Sequence, residues 1–252
     1  MFLHRIANAL RRQDWAVIII EFVMVISGVL IALQLDQWRE SRAVDAREIK
    51  HLEAVREDIK RNIIDIGDAE SALRTVTRFG YDALSTIATK QCASDCWLEV
   101  AAFFHASKWI DGRLNNTAYE EMKREGFPRD INLRDKLSIY HDLFVQTTLI
   151  NAELPEYREL VRSIIPAHMQ EHMWAYCFSF NGRNQTLIAD CPPPKNLANV
   201  KETFDALTQN PRVELTLNFW LSTVSLVTLA MKKQEGQPDK IIADLTTYID
   251  TH

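Results

Sequence analysis

The segment His168-Met169-Gln170-Glu171-His172 reads His-x-x-Glu-His. On a helix, His168 and His172 stand one turn apart and could share a Zn²⁺, with Glu171 as general base for hydrolysis. Enzymes of that kind also need a carboxylate ligand well downstream. The later glutamates are Glu202, Glu214 and Glu235, and none sits in a recognisable context. Two histidines on the solvated face of an amphipathic helix is the plainer reading. The sequence therefore assigns no metal ligand, catalytic residue or cofactor, and His168 and His172 stand only as metal candidates. No Gly-x-Ser-x-Gly elbow, Gly-x-Gly-x-x-Gly turn or P-loop occurs.

The cysteines Cys92, Cys96, Cys177 and Cys191 could do redox chemistry. An even count in polar, loop-like surroundings favours disulfides in an oxidising compartment over buried thiols. Three connectivities are open, and local pairing of Cys92 with Cys96 and of Cys177 with Cys191 is expected.

Glu21 is the third candidate. It interrupts Ala16 to Leu35, a run of twenty residues otherwise broken only by Ser27, Gly28 and Gln34. As a helix the run spans roughly 30 Å, the thickness of a bilayer's hydrocarbon. Trp15 and Trp38 flank it, as interfacial aromatic residues do. LDQWRESR is a poor cleavage site, so an uncleaved signal anchor is expected rather than a signal peptide. A charge at a bilayer centre costs at least ~2.5 kcal/mol. Glu21 lies only about 9 Å beyond Trp15 along a helix. Helical spacing sets Glu21, Gly28 and Ala32 near one face, and Gly28-x-x-x-Ala32 lets two backbones approach closely. This face is expected to meet another helix, from a partner or a second copy.

Residues further along carry a resemblance. GVLIALQLDQWRESR, with Glu21 before it, resembles the start of an uncharacterised family of bacterial single-pass membrane proteins. The matching residues are Glu21, Gly28 to Gln34, Asp36, Trp38 and Glu40. Thr117, Glu120 or Glu121, Lys123, Gly126, Leu133, Arg134, Leu137 and Tyr140 match a second segment of that family. The resemblance implies a membrane protein, and it brings no catalytic residue.

The elements that position these groups read as helices. Ile49, Leu52, Val55, Ile59, Ile63, Ile66, Leu73 and Val76 recur at steps of three and four. No Pro or Gly separates Trp38 from Ile66, so the anchor is expected to continue outward as one long helix. Further helices are expected over Tyr81–Thr89, Cys96–Ala106 and Asn115–Arg124, the last with Thr117 and Glu120 as a partial capping box. Asn132 is expected to cap the next helix, Pro155 to open another, and Asn210-Pro211 to cap and start a long one. The uncharged stretch Leu215–Met231 holds six polar residues, so a buried central helix is expected rather than a second span. SFNGRN and CPPPKN read as loop.

The net charge of −5 and the lack of any basic block exclude a nucleic-acid binder of the usual kind. Seven glycines are few for hairpins and suit helices. The expected fold is all-α: one N-terminal transmembrane helix continuing into a multi-helix extracytoplasmic bundle, with a long loop near 178–196. The expected division is a cytoplasmic tail over 1–14, the anchor over 15–35 and the helical domain over 36–252. Counts of Lys and Arg on the two sides of the anchor do not decide orientation, but a long domain with cysteines favours the amino terminus inside. The expected partners are the lipid bilayer and a protein bound or scaffolded by the domain, with possible self-association through the anchor. One alternative is an accessory subunit of a proton-driven membrane complex working through Glu21. The other is a zinc-dependent hydrolase at His168, Glu171 and His172.

Overall fold

The computed structural model describes residues 15–92, 95–110, 114–150, 154–181, 184–188, 190–196 and 198–252. The expected tail over 1–14 lies outside the described residues. The first element, α1 (Trp15–Thr89), is a single helix of 75 residues, about 110 Å long. Its first part is bare: from Phe22 to Ala43 every side chain is exposed. An 18-residue window near the start of this helix has a mean hydropathy of 2.5 and is long and apolar enough to cross a membrane. Packing begins at Val44, eight residues beyond the expected domain boundary at 36.

Beyond Val44 the helix buries the stripe that its periodicity predicts. Leu52, Val55, Ile59, Leu73 and Val76 are all buried. The separate helix expected over Tyr81–Thr89 is instead the end of α1. Gly80 does not break it, because that glycine serves a close approach: a Cβ there would lie 2.5 Å from Leu221 Cδ2.

Around α1 pack α2 (Trp97–Ala106), α3 (Thr117–Arg124), α4 (Ile131–Ile150), α5 (Glu156–Ile164), α6 (Ala167–Tyr176), α7 (Val200–Gln209), α8 (Pro211–Lys233) and α9 (Gln237–Thr251). They form two cores strung along one rod. The core nearer the bare segment joins Leu52, Val55 and Ile59 to Met122, Leu137 and Leu245. The distal core joins Leu73 and Val76 to Trp97, Phe104, Tyr157, Phe204 and Trp220.

Local stops and starts follow from short-range hydrogen bonds. Asn210 Oδ1 accepts from Arg212 N–H at the start of α8, as expected. Pro155 precedes α5 in an extended conformation, also as expected. The cap of α4 is not Asn132 but Asp130, whose Oδ1 accepts from Leu133 N–H at 2.7 Å. The start of α3 is held from outside rather than by Thr117: Asp58 of α1 accepts from Ala118 N–H at 3.2 Å and from Asn115 Nδ2 at 3.0 Å. One turn on, the Asn62 amide pairs with both the N–H and the C=O of Asn115. The turn after α3 closes through Phe127 N–H to Met122 C=O and Gly126 N–H to Lys123 C=O, with Gly126 at φ +82°.

The expected loop over 178–196 holds a hairpin. β1 (Phe178–Asn181) pairs antiparallel with β2 (Asn184–Leu187), with Phe178 opposite Leu187. The alternation in Phe-Ser-Phe and the β-branched Thr186 fit short strands. The CPPPKN part carries no strand or helix.

Candidate functional site

Three places combine groups that could bind or react. The first lies in the distal core. Cys92 pairs with Cys96 and Cys177 with Cys191, at Cα separations of 4.9 and 4.7 Å. Both are the local pairings expected. The first staples the turn between α1 and α2. The second closes the base of the hairpin, where Ile188 N–H also donates to Cys177 C=O at 2.9 Å. Trp97 joins the two staples: it follows Cys96, and its indole N–H donates to Cys191 C=O at 3.0 Å.

His105, on the last turn of α2, packs beside the second disulfide. It is 0 % exposed, and neither ring nitrogen has a hydrogen-bond partner among the described residues. The rings of Phe79, Phe104 and Phe178 lie 4.7, 6.1 and 5.5 Å from it. Burial first, and then the nearby Lys108, Arg162 and Arg78, hold its pKa down to about 4. The imidazole is thus neutral at pH 7. One nitrogen of His105 and the sulfurs of Cys177 and Cys191 lie within 4.8 Å of one another.

Cations collect around this helix end because the last carbonyls of α2 point there. Arg158 Nη1 donates to Ser107 C=O at 2.9 Å and Arg162 Nε to Ser107 Oγ at 3.1 Å. Arg162 also stacks over Phe104 and Trp174, and Lys108 faces the Phe178 ring. Burial pushes the Lys108 amine down to about 8.

The His-x-x-Glu-His residues do not join this cluster. They lie on α6 as expected, but His168 and Glu171 are exposed. His172 turns its Nε2 to Pro192 C=O at 2.8 Å and its ring edge to Trp97 at 5.5 Å. Its role is to fasten α6 to the 191–196 segment, which leaves His168 without a second ligand from this motif. His105 was missed in the sequence because the three groups come from positions far apart in the chain.

The second place is the outer face of α8. Its inner face is buried through Val213, Leu217, Trp220, Leu221, Val224 and Val227. Its outer face carries Leu215, Phe219, Leu226 and Leu229, exposed by 68, 77, 53 and 51 %. This corrects the expectation of a helix buried on most sides. An all-round apolar pattern reads as buried, yet among the described residues only one side finds a partner. Positions 215, 219, 222, 226, 229 and 233 are spaced four and three alternately, a coiled-coil seam with Leu, Phe, Ser, Leu, Leu and Lys in turn. The flanking residues Thr216, Asn218, Thr223, Ser225 and Ala230 carry no charge, and Lys232 flanks the Lys233 end.

The third place is a cleft of about 640 Å³ between α1 and the turn joining α8 to α9. It opens where the two cores meet, with Ile66 and Leu114 from one and Met231 from the other. Of its five charged lining residues, Glu70 and Arg74 are engaged with each other at 2.7 Å. A seam between cores accounts for it.

In the bare part of α1, Glu21, Gly28 and Ala32 share one helical face, and nothing lies within 4 Å of a Cβ built on Gly28. No protein-family model, curated protein or solved structure matches the chain.

Proposed function

We propose that the protein is a single-pass protein of a bacterial inner membrane. Its amino terminus is cytoplasmic, and its helical domain stands on the oxidising side as a scaffold that docks a partner along the outer face of α8. The observation that carries this reading is the pairing of two exposed apolar surfaces on one continuous support. The bare start of α1 suits lipid, and the α8 seam suits protein. Lipid is a poor occupant for the seam. Leu221 packs on Gly80, and the helix from Trp38 to Gly80 is about 63 Å long.

The occupant is a second copy of this chain. Two copies anchored in one bilayer present α8 at the same height and polarity, so equivalent seam positions meet in parallel. Apart from the Lys232-Lys233 end the flanks are uncharged, so the copies do not repel along the apolar part of the seam, and they offer no complementary charge to select a different chain. Burying each seam side chain yields roughly 1.5–3 kcal/mol. Free association costs roughly 4–15 kcal/mol, so four such residues suffice only when a shared membrane raises the effective concentration. The Glu21, Gly28 and Ala32 face supplies a second contact inside the bilayer.

The test is the mass of the full-length chain in mild detergent or lipid nanodiscs. A dimer is expected, and Phe219→Asp with Leu226→Asp returns it to a monomer while helical circular dichroism is unchanged. A monomeric wild type, or a dimer that survives both aspartates, sinks the reading of α8. Protease added to spheroplasts should digest the domain and spare an amino-terminal tag. The reverse pattern would overturn the orientation.

A further inference from the structure

We infer that His105, Cys177 and Cys191 form a metal site for a thiophilic d¹⁰ cation of the Zn²⁺ class, opened when the Cys177–Cys191 disulfide is reduced. The inference stands on an anomaly of packing. Buried polar groups are almost always hydrogen-bonded, and an exception calls for an ion, a redox role or strain. His105 is fully buried with both ring nitrogens unpartnered among the described residues, and a sulfur pair lies within 4.8 Å of it.

The donor set is chemically coherent. Two thiolates and one imidazole are ligands of structural and catalytic zinc sites, with Zn–S near ~2.3 Å and Zn–N near ~2.0–2.1 Å. Donor atoms within 4.8 Å of one another reach a common centre after a small separation of the sulfurs. Two thiolates, a neutral imidazole and a dication sum to zero charge, which suits a site walled by Phe79, Phe104 and Phe178.

The chemistry balances with a dithiol reductant. The dithiol gives two electrons and two protons: its own S–S bond forms, the Cys177–Cys191 bond breaks, and two thiols result. The cation then displaces both thiol protons as two sulfur–metal bonds form, and His105 donates its lone pair as third ligand. A disulfide oxidant reverses the step by exchange: its own S–S bond breaks and takes up the two electrons, the Cys177–Cys191 bond re-forms, the cation is released, and the oxidant's two sulfurs leave as thiols with protons from solvent. The hairpin base is thus closed in either state, by a disulfide or by a metal.

The experiment uses full-length protein in detergent, reduced with a phosphine that does not ligate these metals. Co²⁺ reports thiolate ligation by its sulfur-to-metal absorption, and Zn²⁺ competition with a chromophoric chelator gives affinity. One equivalent is expected to bind the reduced protein and none the oxidised protein. His105→Phe and His105→Gln should each weaken Zn²⁺ by about 100-fold or more, while Cys92→Ser with Cys96→Ser leaves binding unchanged. The inference is overturned if the reduced wild type binds no metal or loses its helical signal. It is equally overturned if both His105 variants bind as tightly as wild type, or if binding follows Cys92 and Cys96.

Discussion

His141 shows how a single side chain can set a pH limit. Its ring stacks on Tyr119 at 3.7 Å, and Nε2 is buried without a hydrogen-bond partner among the described residues. Burial outweighs the nearby Asp142 and Asp58, and its pKa is held down to about 4 from an ordinary 6.5. The unfolded chain therefore takes up a proton below about pH 6.5, whereas the folded chain does so only near pH 4. Stability from this group is complete above pH 6.5 and is lost as pH falls toward 4. Between pH 6.5 and 4.5 the loss should be roughly 2 kcal/mol, read from urea midpoints. His141→Phe keeps a ring against Tyr119 and should remove this share of the slope, leaving the matching share of His105, whose pKa is likewise held down to about 4; an unchanged slope would refute the assignment. Little at this scale was legible beforehand. The local disulfide pairs were, because close spacing limits the choices. The Asp58 cap on α3 and the clamp at Glu48 were not, because each joins residues far apart in the chain. Glu48 is only 1 % exposed, and it accepts from Arg129 N–H at 2.8 Å, from Arg129 Nε at 2.6 Å and from Tyr248 OH at 3.3 Å.

Among the elements, α1 and α8 carry the clearest test of packing. Both Gly67 and Gly80 lie inside α1, and helix propensity alone penalises each by about 1 kcal/mol against alanine. Their surroundings differ. Nothing lies within 4 Å of a Cβ at Gly67, whereas one at Gly80 meets the side chain of Leu221. Gly67→Ala should therefore stabilise the domain by about 0.5–1 kcal/mol. Gly80→Leu should destabilise it by about 1–3 kcal/mol, and Leu221→Ala in the same chain should recover part of that loss. Thermal or urea unfolding decides both, and equal effects at the two glycines would contradict the packing described. Helix existence was readable from periodicity, and Pro155 and Asn210-Pro211 marked true starts. The hairpin was not readable, since four-residue strands give too short an alternation. The outer face of α8 was misread because periodicity reports which residues are apolar, not how many neighbours the fold supplies.

For the whole molecule, the all-α class and the apolar leading segment followed from composition and from the absence of Pro and Gly between Trp38 and Ile66. What could not be read is that two cores share one rod. That rod has a mechanical consequence. An unbroken helix transmits torsion, so the azimuth of Glu21 and Gly28 is geared to the azimuth of α8. Two residues inserted between Arg39 and Ala43 would turn the domain through about 200°, and seven through about 700°, nearly two full revolutions. Cross-linking of paired cysteines at Gly28 and at Leu226 should lose its coincidence with the two-residue insert and regain it with the seven-residue one. If both inserts leave the two cross-links equally efficient, the shaft slips and the two ends of the protein are phased independently.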